Sequence, residues 1–167
     1  MKYLIYFLLF GFCSVQAQFS NAKIGVNGLT CSACSRSVEI ALKKLPFVDS
    51  VKMDLKKTEA FVFFKNGAKV EMYKVAKAVV DAGFSVRFLN ANYQFSNTII
   101  SDNLCVNIDG NNYTFIKTNQ RNLSGSVNLK FIGENYMSKT DLNAYKALMK
   151  STCSTNSKNV KYYFVTF

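Results

Sequence analysis

Lys23-Ile24-Gly25-Val26-Asn27-Gly28-Leu29-Thr30-Cys31-Ser32-Ala33-Cys34 is the stretch on which the reading of this chain turns. Ile24 and Val26 alternate with Lys23, Gly25 and Asn27, the period of two of a half-buried strand, and Gly28 ends it. Beyond the cysteines, Val38, Ala41, Leu42 and Leu45 recur at three- and four-residue spacing until Pro46 stops the pattern, which predicts a helix over Cys34 to Lys44. A strand enters the loop and a helix leaves it. Cys34 then falls in the first turn of that helix, where free backbone N–H groups and the positive dipole end favour a thiolate. Thiolate is the metal-binding form, and its soft sulfur prefers Cu(I), Zn(II), Cd(II) or Hg(II) to Mg or Ca. Two thiolates satisfy the low coordination numbers that Cu(I) and Hg(II) accept, whereas zinc usually takes four ligands. The chain has no His, and the loop has no Asp or Glu. A bis-thiolate Cu(I) site is therefore the expected one, with Hg(II) the nearest competitor and Zn(II) or Cd(II) behind.

Outward from the loop the same two periods continue. Val48 to Asp54 and Glu59 to Phe64 read as strands around the polar link Leu55-Lys56-Lys57-Thr58, a hairpin. Met72, Val75, Ala76, Val79 and Val80 make a second amphipathic helix that Gly83 stops, and Phe84 to Leu89 alternates again. The order β-α-β-β-α-β is the ferredoxin-like split pattern, with both helices on one face of a four-stranded antiparallel sheet. Met53 and Met72 read as core residues, not thioether ligands.

Over Lys23 to Leu89 the chain resembles the heavy-metal-associated domain family, the module of copper chaperones, copper-pump N-terminal domains and the periplasmic mercury-binding protein. That family's loop reads Gly-Met-Thr-Cys-x-x-Cys, and here Leu29 stands at the Met position, an apolar replacement for a packing residue. The resemblance implies that Cys31 and Cys34 hold the metal. It also implies that Gly28, Leu29, Thr30, Ser32, Ala33 and Phe84 support the loop, Phe84 as an aromatic shield where relatives carry a Lys or Tyr. Pro46-Phe47 departs from the Pro-Gly common at this turn in the family.

The second half reads differently. Asn90 to Asn97 is polar and carries no helical stripe, so a linker is expected over 91–97 between a first domain, 18–90, and a second, 98–167. Leu104, Val106 and Ile108 alternate up to the turn signal Asp109-Gly110-Asn111-Asn112, and Tyr113, Phe115 and Ile116 resume beyond it. Val127, Leu129 and Phe131 alternate likewise. Ser138-Lys139-Thr140-Asp141 starts a short helix through Leu142, Tyr145, Leu148 and Met149, and Val160 to Phe167 closes the chain as a strand. The overall expectation is α+β: a ferredoxin-like domain followed by a small β-rich domain with one short helix. The second domain shows no His, no paired carboxylates and no phosphate loop, so no catalytic role is expected of it.

Lys2, the apolar run Tyr3 to Phe12 and the small-x-small ending Val15-Gln16-Ala17 read as a signal peptide over 1–17, cleaved near Ala17, which makes the mature protein periplasmic or secreted. Cys31, Cys34, Cys105 and Cys153 then meet an oxidising compartment. Four cysteines allow three pairings, and the sequence does not choose among them. The preferred division keeps Cys31 and Cys34 for metal and joins Cys105 to Cys153 as a structural disulfide.

The formal net charge is +11, from lysines that are scattered rather than clustered, and no nucleic-acid motif is present. Nucleic acid is therefore excluded as a partner, while peripheral contact with anionic membrane or an acidic protein fits. The expected function is an exported, monomeric Cu(I) chaperone or metal-sequestering protein. It would exchange one ion with a donor or acceptor protein that exposes its own thiolates. A heavy-metal scavenger is the alternative with the same site. A thiol–disulfide oxidoreductase is the alternative of another class, disfavoured because no Trp precedes Cys31 and Pro46 is the single proline.

Overall fold

A computed structural model describes residues 18–150, 153 and 160–167. The expected signal peptide, 1–17, lies outside these residues. Eight strands form one sheet in the order β2-β3-β1-β4-β7-β8-β6-β5. They are β1 Phe19–Asn27, β2 Val48–Asp54, β3 Glu59–Phe64, β4 Ser85–Ile100, β5 Cys105–Ile108, β6 Asn111–Phe115, β7 Arg121–Ile132 and β8 Tyr162–Thr166. The helices are α1 Ser32–Lys43, α2 Met72–Asp81 and α3 Lys139–Asn143, with a 3-10 turn at Lys146–Leu148.

The first half is the ferredoxin-like sandwich. β1 lies between β3 and β4, antiparallel to both, and β2 pairs with β3 on the edge. Val38 and Leu42 of α1 and Val75 and Val79 of α2 pack with Ile24, Val62 and Leu89 of the sheet in one apolar cluster. These side chains are fully buried, and each contributes on the order of 1.5–3 kcal/mol by leaving water. Met72 is among them. On the opposite, open face Gly25 faces Phe88 in register. A Cβ on Gly25 would collide with the Phe88 ring, so this glycine lets the ring lie flat across β1. Lys23 sits over the same ring, 5.5 Å from its centroid, and pairs with Glu59 at 3.5 Å.

The expected linker is not one. Residues 91–97 lie inside β4, where Ala91, Tyr93 and Phe95 point into the core and Asn90, Asn92 and Gln94 point outward. Asn92 pairs with Asn21 of β1 on one side and Asn128 of β7 on the other, and side-chain amide bonds of 2.9 and 2.8 Å run along this row. The amides that read as a polar break form a hydrogen-bonded ladder on a strand that continues without a break. One apolar cluster consequently contains Ile24 and Leu89 from the first half with Tyr113, Phe131 and Tyr163 from the second. The division at residue 90 gives way to a single sheet with a shared central strand.

Beyond β4 the expected strands form. β5 and β6 are joined at Asp109-Gly110, both with positive φ, as a two-residue hairpin turn requires. β8 pairs antiparallel with β7 and parallel with β6, closing the sheet interior. The helix expected after Ser138 is shorter than its apolar stripe. Ser138 caps α3 by accepting from the Asp141 N–H, and Leu142 buries against Ile116, Ile132 and Met137 on the face opposite α1 and α2. Cys105 of β5 and Cys153 lie in disulfide geometry with Cα atoms 5.3 Å apart, and Cys153 sits 3.4 Å from Thr114 Oγ1.

Candidate metal centre

The strand and helix that frame the loop both obey the sequence periods, so the loop hangs between two rigid elements. Asn27 ends β1 opposite Ser85 of β4. Gly28 then takes φ +89°, a backbone conformation in which a Cβ costs about 1–2 kcal/mol. Its carbonyl accepts from the Thr30 N–H at 2.9 Å. Leu29 turns inward and is buried, filling the position under the loop, while Thr30 points outward. Phe84 packs beside Gly28, its ring 3.5 Å from where a Cβ would stand. Gly28→Ala is expected to destabilise the protein by about 1–2 kcal/mol in urea denaturation, from backbone strain rather than collision.

Cys31 is the N-cap of α1 and is exposed; Cys34 lies in the first turn and is half-buried against the core. The two Sγ atoms are 2.7 Å apart, and Cys31 Sγ accepts the Cys34 N–H at 3.3 Å. Hydrogen bonds from the Cys34 side chain first, then from the Cys34 backbone, pull the Cys31 pKa below its ordinary value. A sulfur in the N-cap role thus satisfies a helix N–H that Ser or Asp usually satisfies, and the same bond favours thiolate. Ser32 and Ala33 are exposed and small, leaving Cys31 open to solvent and Cys34 partly so. Ser35 is buried behind them, with its hydroxyl on the Cys31 carbonyl at 3.3 Å. It was not among the expected loop residues, and no sequence signal distinguishes it from an ordinary helix serine.

Among the described residues, no third Cys, His, Asp or Glu gathers with this pair. Metal–thiolate bonds of about 2.3 Å, the zinc value, place two sulfurs on opposite sides of an ion about 4.6 Å apart. To hold an ion between them, the two sulfurs would have to stand farther apart than the 2.7 Å seen here. Cys105 and Cys153 sit in the β5–β6 region and do not join the loop.

A ferredoxin-like sandwich with an exposed thiol pair at a strand–helix junction defines a small metal-binding module. The heavy-metal-associated domain profile matches residues 23–85. The mercuric transport protein periplasmic component of Shigella flexneri is 37% identical over 70 residues, which are 42% of this chain and 76% of that protein. Copper chaperone CopZ of Staphylococcus haemolyticus is 38% identical over 68 residues, 40% of this chain and 97% of the chaperone. The probable copper-transporting ATPase HMA5 of Arabidopsis thaliana is 37% identical over 71 residues, 42% of this chain but 7% of the ATPase. The chain belongs to the heavy-metal-associated domain family. The match ends at residue 85, so β5 to β8 lie outside it.

Proposed function

We propose that this protein is an exported carrier that binds one Cu(I) between the Cys31 and Cys34 thiolates and passes it to a partner by thiolate exchange, with no catalytic role. The observation that carries this reading is an exposed Cys31 beside a half-buried Cys34 with, among the described residues, no third metal-ligating side chain gathered with them. Two sulfurs suit a two-coordinate ion, and an open loop suits an incoming thiol from a donor or acceptor protein. Hg(II) is the second ion for the same geometry, supported by the similarity to the mercuric transport component. The periplasmic location of that relative and the apolar start of this chain support export. Among the described residues, no helix is long and apolar enough to cross a membrane. An oxidising compartment also supports a Cys105–Cys153 bond in the working protein.

Cu(I) titration of the reduced protein against a colorimetric competitor tests the site, with one equivalent expected to bind. Protons compete for the same sulfurs, so affinity rises with pH and levels off once the thiols are ionised. The lowered Cys31 pKa lets that sulfur give up its proton at lower pH than an ordinary thiol. No binding of Cu(I) or Hg(II), together with disulfide reductase activity, would transfer the pair to thiol–disulfide exchange.

A further inference from the structure

The β2–β3 hairpin tip stands at the same end of the sheet as the cysteine loop. Val26, two residues before Gly28, donates its N–H to the Thr58 carbonyl at 2.9 Å. The tip, Asp54-Leu55-Lys56-Lys57-Thr58, is held in one shape. Asp54 Oδ1 accepts the Lys57 N–H at 3.1 Å, Thr58 adopts φ 53°, and Arg87 Nη2 on β4 donates to the Lys57 carbonyl at 2.8 Å. At its apex Leu55 is 55% exposed, and Lys56 and Lys57 are exposed beside it. Among the described residues neither lysine is in an ion pair with a carboxylate. Asp54 closes the turn, and Glu59 is buried between Lys23 and Arg87. Glu134, exposed at this end, follows β7, three strand positions from the tip in the sheet order.

We propose that this hairpin tip docks the protein on an anionic bilayer surface. Leu55 enters the boundary between headgroups and acyl chains, and Lys56 and Lys57 lie among acidic headgroups. Charge complementarity selects the occupant: two unpaired lysines flank a projecting apolar side chain on a chain of net charge +11, which long-range attraction draws to a negative surface. A five-residue tip is far smaller than the roughly 800 Å² that each partner contributes to a stable protein interface. A soft interface that accepts one side chain to a depth of about 5–10 Å fits it better. Docked in this way, the protein meets the membrane with its thiols leading. That consequence rests on the proposed Cys31/Cys34 site; the docking itself does not.

The chain contains no Trp, so Leu55→Trp makes a unique fluorescent reporter of the tip. In the metal-free mature protein, without residues 1–17, its emission is expected to shift to the blue with vesicles of mixed phosphatidylcholine and phosphatidylglycerol, and not with phosphatidylcholine alone. Ile99→Trp, at the other end of β4 and 62% exposed, is expected to show no shift. In co-sedimentation, Lys56→Ala/Lys57→Ala is expected to lower partitioning about 30-fold, at roughly 1 kcal/mol per surface lysine. Lys146→Ala/Lys150→Ala removes the same charge from the segment around the 3-10 turn and is expected to lower it much less. Equal losses in the two lysine pairs, or absence of a blue shift at the substituted tip, would overturn the proposal. Because the protein carries no metal in these assays, failure of docking and failure of metal binding are read separately.

Discussion

The Cys31→Ser/Cys34→Ser variant is expected to lose more than about 100-fold in Cu(I) affinity while keeping the fold and stability of the parent protein. Removing even an outer-shell partner of a metal ligand costs about 10–100-fold, and this change removes both proposed ligands. Serine retains a side-chain oxygen at position 31, which can accept the Cys34-position N–H as the sulfur does at 3.3 Å. The helix cap is thus kept, and the exposed position of Cys31 leaves no cavity behind. Competition titration reads the affinity and circular dichroism the fold. Unchanged affinity in the double variant, with one equivalent still bound, would remove the assignment. Single variants refine it: if the two sulfurs act as a pair, either serine alone accounts for most of the loss.

A comparable effect on stability, without any on the metal, is expected from Cys105→Ala/Cys153→Ala. The bridge spans 48 residues, and in the chain-entropy model a loop of that length contributes about 4 kcal/mol by restricting the unfolded state. For a protein of this size each kcal/mol corresponds to roughly 2–4 °C, so the melting midpoint should fall by roughly 8–16 °C. Thermal unfolding of the oxidised protein and the variant gives the difference. Cu(I) affinity should not change, since the bridge ties β5 to a position beside Thr114 of β6 and touches nothing in the loop. Mass analysis without reductant that finds both thiols free would defeat this expectation before any melting curve is run.

Much of the fold was legible because its elements obey single periods. Ile24 and Val26 alternate, Val38, Ala41, Leu42 and Leu45 recur as a helical stripe, and Pro46 and Gly83 stop the helices where the structure stops them, within a residue or two. The thiol pair was legible from the spacing of Cys31 and Cys34 at the meeting of those periods. β4 was misread for a specific reason. Between Asn90 and Asn97 the outward positions carry Asn, Gln and Ser, and the inward ones, Ala91, Tyr93 and Phe95, were outweighed by that polarity. An amide row reads as loop composition until neighbouring strands supply its hydrogen-bond partners, here Asn21 and Asn128. The short α3 was overextended for a related reason. Tyr145 and Met149 continue the stripe but only lean on the cluster that Leu142 enters, and Lys117 and Lys130 lie over the Tyr145 ring.

The sequence by itself determined the order of strands and helices in the first half, the loop between Gly28 and Cys34, and the chemistry of two thiols without a histidine. Those properties are local, since periodicity, breakers and ligand type act over a few residues. Only the tertiary structure decided that β4 serves both halves and that β8 inserts between β6 and β7. It alone brought the Leu55 hairpin to the end of the sheet where the cysteines stand. Such pairings join residues far apart in the chain. Their hydrogen bonds and buried aromatic contacts exist only once the sheet has assembled, and no pattern along a single strand names its partner.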